Sequence, residues 1–184
     1  MHFLHKILVH IPDAVEDREQ YESQDLIDAI RRYAESETEP FFGQAYDWRE
    51  TYTAGRWIDS YPVNVMFADD DLDSFVHELE SAMQSQRQEM QFCLKKVKSS
   101  VGTDLESIAA GLAERKQEWR AESGFNNLTA FYLYCVAAHL YGEYHCDSYF
   151  YNTSECTAFI CLDDIEAVKS EPSEWALVIF DYHN

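Results

Sequence analysis

The sequence has few positive charges for its size. Lys and Arg together number 14 against 34 Asp and Glu, so the formal net charge is −20 over 184 residues. Small soluble domains commonly carry net charges of about 2–8 in magnitude, and a larger negative charge repels nucleic acid and anionic membranes. Direct binding to nucleic acid or to a membrane is therefore not expected. A basic groove on another protein, in contrast, attracts such a chain.

The sequence also lacks an apolar run that could span a bilayer. The longest apolar stretch, LTAFYLYCVAAHLY at 128–141, is shorter than the roughly 20 residues that a span needs, and it contains a histidine. The first residues, MHFLHKILVHIP, lack the small-residue cleavage site of a secretory leader. Together with five irregularly spaced cysteines, these features favour a reducing, cytoplasmic location with free thiols.

Signatures of the common cofactor and hydrolase sites are missing as well. The chain contains no GxGxxG, Walker loop, HExxH or GxSxG, so no cofactor is expected and a non-enzymatic role is favoured. The stretch ADDDLDSFVHELE at 68–80 does place four carboxylates at calcium-loop positions 1, 3, 5 and 12. However, the position that needs glycine is Ser74, and an apolar stripe that starts at Leu72 needs an unbroken helix. The stretch therefore predicts a helix start capped by aspartate.

A candidate zinc ligand set lies in the Cys/His-rich region at 135–161. Its members are Cys135, His139, His145, Cys146, Cys156 and Cys161. Cys135 and His139 have the i, i+4 spacing that a zinc site on a helix can use, but the chain has no CxxC pair and Cys135 also fits an apolar stripe. Whether these residues bind a metal stays open, and a zinc-dependent enzyme is the alternative function. His2, His5 and His10 do not share one strand face, so no three-histidine strand site is expected.

Apolar periodicity predicts an α+β domain. Strands are expected at 3–11 and 63–67, and in SYFYNT, TAFICL and EWALVIFDYH near the C-terminus. Helices are expected at 23–37, from the aspartate stretch to about residue 98, from the capping box at 103–106, and at 128–141. We expect a mixed or antiparallel sheet of four to five strands, formed by the N-terminal and C-terminal strands and packed against four helices, one of them long. The 184 residues form a single domain, or two lobes: an acidic sheet lobe of 1–67 with 143–184, and a helical region at 68–142.

The acidic residues concentrate towards the two ends of the chain. Residues 1–82 have a net charge of −13 and residues 122–184 of −9, whereas residues 83–121 have +2. Pairing of the first and last strands would bring both acidic segments onto one lobe. Self-repulsion of this size costs stability, which indicates a use for the charge.

This composition resembles that of nucleic-acid mimics, which phages and mobile elements use against nucleases. The sequence therefore predicts an inhibitor or binding protein that occupies the basic nucleic-acid-binding surface of a partner, such as a nuclease or CRISPR effector. Anti-CRISPR, anti-restriction and nuclease-immunity proteins all fit this description. A third interpretation is a housekeeping domain whose acidity is incidental.

Three carboxylate clusters are the predicted partner-binding residues. They are Glu35, Glu37 and Glu39 at a helix end, Asp69, Asp70, Asp71 and Asp73 at a helix start, and Asp163, Asp164 and Glu166 directly after a strand. The first cluster opposes the dipole of its own helix, so stability is not expected to explain it. Changing these three glutamates to glutamine should leave folding intact or slightly improved.

Overall fold

The structure is a computed structural model that describes residues 2–101, 106, 124–145 and 148–183. It describes five strands: β1 (His2–His10), β2 (Trp48–Glu50), β3 (Val65–Phe67), β4 (Phe150–Asn152) and β5 (Trp175–His183). It describes five helices: α1 (Ile11–Ala14), α2 (Ser23–Thr38), α3 (Leu72–Val101), α4 (Asn127–Tyr141) and α5 (Leu162–Ser170). The predicted α+β class is confirmed.

The last strand of the chain, β5, lies inside the sheet. It pairs antiparallel with β1 along its whole length, and β4 adds to the far side of β1 in parallel orientation. The first and last strands are thus neighbours, an arrangement that the sequence analysis considers without predicting the strand order. Both are buried on both faces, which is why their sequences are rich in aliphatic residues on both parities.

The other edge of β5 pairs with an interrupted strand. β2 pairs with the end of β5 and β3 with its beginning, while residues 51–64 leave the sheet between them. Asn64 bridges the gap: its carbonyl accepts a hydrogen bond from Ile179 N at 2.8 Å, and its Nδ2 donates to the Thr51 carbonyl at 2.8 Å. These bonds satisfy backbone groups that the interruption would leave unpaired. Strand β2 is absent from the sequence prediction.

Two apolar cores lie on opposite faces of the sheet. Odd-numbered residues of β1, such as Ile7 and Val9, pack with α2, whereas Leu8 packs with α3 and α5. Helix α2 presents one side to this core because its buried residues recur every four positions: Leu26, Ile30, Ala34 and Thr38.

Helix α3 begins where the aspartate stretch predicts. The carboxylate of Asp71 accepts hydrogen bonds from Ser74 N at 3.1 Å and from Ser74 Oγ at 2.7 Å, which caps the first turn. The backbone is helical from Leu72, so the calcium-loop interpretation is rejected. Two aspartates before the cap remain outside the helix, at positions 69 and 70.

The two halves of α3 pack against different partners. The helix has 30 residues, which at 1.5 Å each gives a length of about 45 Å. Phe75 and Leu79 in its first half join the sheet core, while Cys93 in its second half packs with Cys135 and Val136 of α4. Between them, Gln86 is buried and forms two hydrogen bonds with the backbone of residue 160, which explains one polar residue in the polar middle of the helix.

Helix α4 has a defined cap at each end. Asn126 Oδ1 accepts from Thr129 N at 3.0 Å, and Gly142 ends the helix at φ +68°. The predicted end of this helix at residue 141 is confirmed. The predicted helix that starts at the capping box 103–106 lies, apart from Glu106, outside the described residues.

The segment TAFICL was predicted as a strand, and this prediction is wrong. Within it, Thr157 forms an isolated bridge to Asn152, and helix α5 begins at Leu162. The helix starts there because Asp164 Oδ2 accepts a hydrogen bond from Cys161 N at 2.8 Å in a capping box. Of its apolar residues, Ala158 and Ile160 are buried without strand pairing, whereas Phe159 and Leu162 are exposed.

In the described ranges, no helix combines the length and the apolar character that crossing a bilayer requires.

Candidate acidic binding face

One end of the sheet carries a concentration of carboxylates. Strands β1 and β3 end there and β5 begins there, because both pair antiparallel with β5. The segments attached to these strand ends, 13–19, 69–73 and 171–174, are therefore brought together. We call their carboxylates the acidic rim, which comprises Asp13, Glu16, Asp17, Glu19, Asp69, Asp70, Asp71, Asp73, Glu171 and Glu174.

Arg18 connects the three segments of the acidic rim through its side-chain contacts. Its Nη1 donates to the Ser173 carbonyl at 2.6 Å and lies 3.0 Å from Asp69 Oδ2, and its guanidinium lies 5.0 Å from the centre of the Phe67 ring. Arg18 is the single Lys or Arg in these three segments. It therefore neutralises one carboxylate and leaves the rest of the rim negative.

His10 forms a second connection at the end of β1. Its Nδ1 lies 3.3 Å from Asp13 Oδ1 and its Nε2 lies 3.2 Å from Glu174 Oε2. Ser154 donates a hydrogen bond to Asp13 Oδ2 at 2.7 Å, and this bond is the main cause that lowers the pKa of Asp13. The carboxylate is thus held in its charged form at the surface.

A cleft of about 530 Å³ opens beside the rim, between residues 60–63 and the start of α3. Tyr61, Val63 and Met66 contribute apolar surface to it, and Asp70, Asp71 and Glu78 contribute carboxylates. Two of these carboxylates have internal partners. Glu78 bonds to Lys6 and Tyr61, and Asp71 caps α3 with a pKa lowered by its hydrogen bonds from Ser74.

Asp70 and Asp73 differ from their neighbours. Both are exposed, and neither side chain forms a hydrogen bond or ion pair within the described part of the chain. Of the four aspartates in this predicted cluster, Asp71 serves as the cap and Asp69 pairs with Arg18. Asp70 and Asp73 therefore present the charge that is free for a partner.

The glutamate cluster at the end of α2 lies at the opposite end of the sheet. There Arg49, whose side chain is 8% exposed, contacts both Glu35 and Glu39. Its Nη1 also donates to Tyr46 Oη at 2.7 Å. In contrast to the expectation that stability does not explain this cluster, Glu35 and Glu39 both pair with a nearly buried guanidinium. Glu37 has no such pairing in the described part of the chain.

The third predicted cluster follows a loop and not a strand: Asp163 and Asp164 lie in the first turn of α5, and Glu166 lies in the next turn. Asp163 and Glu166 are exposed there. Asp164 is only 6% exposed, and its Oδ1 accepts a hydrogen bond from Asn152 Nδ2 at 2.8 Å. Because this carboxylate is used inside the fold, we leave Asp164 out of the candidate binding face.

The structure thus separates the three predicted clusters. Asp163 shares a surface with Arg87, which lies 15 positions, or about 22 Å, along α3 from its start near the rim. The aspartate cluster instead joins acidic segments 13–19 and 171–174, whose residues are not among the predicted binding residues. Segment charge alone could have flagged them, but only the strand order shows that they meet.

The candidate zinc ligands do not lie in one cluster. Cys135 is buried against Cys93, and the rings of His139 and His145 lie 4.8 Å apart. Cys156 and Cys161 lie on a turn and at the start of α5. In the ranges that the structure covers, no three His, Cys, Asp or Glu side chains form a metal-binding group, and Cys146 lies outside those ranges.

Comparison of the chain with family models, with curated proteins and with solved structures found no match.

Proposed function

We propose that this protein is an acidic inhibitor or binding protein that docks on a basic, nucleic-acid-binding surface of a partner protein. The acidic rim carries the proposal, because it gathers ten carboxylates from three separate segments with Arg18 as the one base among them. Duplex DNA carries one negative charge per roughly 1.7 Å of axis, and its binding proteins line their grooves with Lys and Arg. A dense carboxylate surface is complementary to the same groove.

The cleft beside the acidic rim favours binding of a protein partner over the view that the acidic charge serves solubility alone. Its walls combine the apolar side chains of Tyr61, Val63 and Met66 with the unpaired carboxylate of Asp70. Arg and Lys bury their aliphatic stems on apolar surface while their charged ends contact carboxylates. A basic side chain of the partner can therefore enter this cleft, where its aliphatic stem packs on the apolar walls and its charged end contacts the carboxylate of Asp70.

The partner class that fits best is a nuclease or a CRISPR effector, and the protein acts on it as an anti-CRISPR, anti-restriction or immunity protein. A cytoplasmic location is part of this proposal. The free thiols of Cys156 and Cys161 are consistent with a reducing compartment.

The experiment has two stages. The protein is first used to recover partners from a host lysate at low salt, with elution at high salt. A recovered partner is then purified, and its binding to labelled duplex DNA is measured with increasing amounts of this protein. We expect competition that weakens as salt rises, because exposed charges are screened within about 8 Å at physiological ionic strength.

A pair of matched variants locates the binding face. Asp70→Asn with Asp73→Asn removes two charges from the rim, and Asp163→Asn with Glu166→Gln removes two charges from α5. We expect the rim variant to compete less well and to associate more slowly at low salt, while the α5 variant resembles the wild type. Equal behaviour of both variants would assign the effect to total charge, and a partner that binds this protein without losing DNA would reject the mimic.

A further inference from the structure

Two histidines face each other across strands at the end of the sheet opposite the acidic rim. His2 of β1 and His183 of β5 are direct partners in the antiparallel register, so their side chains lie on the same face. Their ring centroids are 5.2 Å apart with an interplanar angle of 67°. The sequence does not predict this pair, because parity along one strand compares His2 only with histidines of that strand.

Each of these imidazoles is held by a carboxylate through the same ring nitrogen. His2 Nδ1 lies 2.9 Å from Asp181 Oδ1, and His183 Nδ1 lies 2.8 Å from Asp47 Oδ1. A hydrogen on Nδ1 that is donated to a carboxylate leaves the lone pair on Nε2 available. This carboxylate–histidine arrangement is the one that orients metal-binding histidines in proteins.

The carboxylate behind His2 is itself fixed. Asp181 is 1% exposed, and its Oδ2 accepts a hydrogen bond from Arg56 N at 3.1 Å. The side chains of His2 and His183 are 23% and 42% exposed, so an ion can reach them from solvent. His2 therefore has a buried, fixed support, His183 has the 68% exposed Asp47 behind it, and both rings are open to solvent on one side.

The separation of the rings fits one shared ion. A zinc–nitrogen bond of about 2.0–2.1 Å puts the ion roughly 3.2 Å from each ring centroid, so a tetrahedral angle places the two centroids about 5.2 Å apart. The observed separation is 5.2 Å. Imidazole nitrogens suit Zn²⁺, Ni²⁺ and Cu²⁺, whereas Ca²⁺ and Mg²⁺ prefer oxygen ligands.

We propose that His2 and His183 bind one divalent late transition-metal ion through their Nε2 atoms, with water in the remaining positions. Asp181 and Asp47 are positioning residues that hold the two rings. Within the described residues, three-ligand groups of His, Cys, Asp and Glu are absent, so this is an open site with two protein ligands. It is separate from the Cys/His region at 135–161 and does not depend on the acidic rim.

The test is a calorimetric titration of Zn²⁺ into metal-free protein that carries no histidine tag. We expect one equivalent to bind, and His2→Asn and His183→Asn each to weaken binding tenfold or more. Asp47→Asn should weaken it about tenfold, the lower end of the effect usual for such supporting carboxylates. His77→Asn, an exposed histidine on α3, is the matched control and should titrate like the wild type.

Thermal melts with and without Zn²⁺ give an independent readout. Because the site exists only when β1 and β5 are paired, Zn²⁺ should raise the Tm of the wild type and of His77→Asn but not of His183→Asn. The proposal fails if His183→Asn binds Zn²⁺ as tightly as the wild type. It also fails if Cys135→Ser or His139→Asn removes the binding while His183→Asn keeps it, since the metal then belongs to the other region.

Discussion

Lys6 Nζ lies 2.8 Å from Glu78 Oε2, and this ion pair connects β1 with α3. The same ammonium donates to the Glu78 carbonyl at 3.0 Å, and Tyr61 Oη donates to Glu78 Oε2 at 2.8 Å. Lys6 is almost fully buried, so its charge depends on this one carboxylate. Glu78 therefore serves the fold even though it also lines the cleft.

We expect Glu78→Ala to destabilise the protein by about 3–5 kcal/mol, because it leaves a buried ammonium without its partner. Lys6→Met together with Glu78→Ala should recover part of this loss, since the unpaired charge is then gone. Urea denaturation of the two single variants and the double variant measures the coupling. Additive losses in the double variant would show that the pair does not interact.

The same pair contributes to the acid sensitivity of the fold. Burial by itself raises the pKa of Glu78, but the hydrogen bond and charge of Lys6 outweigh it and lower the pKa below its ordinary value of 4.5. The contribution to stability is then fully present above pH 4.5 and is lost as the pH falls through the lowered value. Denaturation midpoints of wild type and Glu78→Gln should therefore converge in acid.

The end of α2 offers a test with an internal control. Glu35→Gln with Glu39→Gln should cost about 1 kcal/mol, because Arg49 loses both of its carboxylate partners while the partly exposed glutamates limit the effect. Glu37→Gln should stay within about 0.5 kcal/mol of the wild type. Guanidinium denaturation compares the three proteins. A double variant as stable as the wild type would restore the original expectation for this cluster.

Alanine substitutions at two glycines with positive φ distinguish the cost of backbone strain from the cost of a steric clash. Gly43 at φ +78° has open space where a Cβ would lie, so Gly43→Ala should cost only the left-handed strain, about 1–2 kcal/mol. Gly55 at φ +55° lies against the side chain of Asp181, and a Cβ there would collide with it. We expect Gly55→Ala to cost clearly more. Thermal melts measure the loss of stability of each variant. Equal losses for both variants would rule out the close contact between position 55 and Asp181.

His5 predicts a second pH dependence. Burial, with the nearby His145 as a smaller cause, holds the pKa of His5 well below its ordinary value of 6.5. The unfolded chain then binds a proton that the folded chain rejects, so stability falls as the pH drops below 6.5, by up to about 1.4 kcal/mol per unit for this group. His5→Phe should flatten this part of the stability curve between pH 6.5 and 5. His77→Gln is the control and should keep the wild-type slope.

The sequence was most informative where a residue pattern is compatible with only one local structure. Strand β1, the first two long helices and the presence of an aspartate cap at the start of α3 follow from apolar period and capping chemistry, which are local. The pattern failed for TAFICL, because apolar and β-branched residues mark burial in general and do not by themselves specify strand pairing. It also failed for β2, which exists only because β5 provides a partner for its three residues.

For the candidate site, too, the sequence predicted local features and missed those that depend on contacts between distant residues. The sequence identified the aspartates at the start of α3 as concentrated charge, but it could not tell that Asp71 is a cap or that Asp164 is buried. The partners of these carboxylates lie elsewhere: Asn152 bonds to Asp164, and Arg49 pairs with Glu35 and Glu39. Such pairs depend on side chains that meet only after the sheet has formed.

By itself, then, the sequence determined the large negative charge and the α+β class, because composition and periodicity are properties of the chain. Only the tertiary structure decided which carboxylates share a surface and which are neutralised. The antiparallel register of β1 and β5 places the segments after His10 and before Trp175 at one end of the sheet, and His2 beside His183 at the other. Residues more than 160 positions apart become neighbours through backbone pairing, which no local pattern encodes.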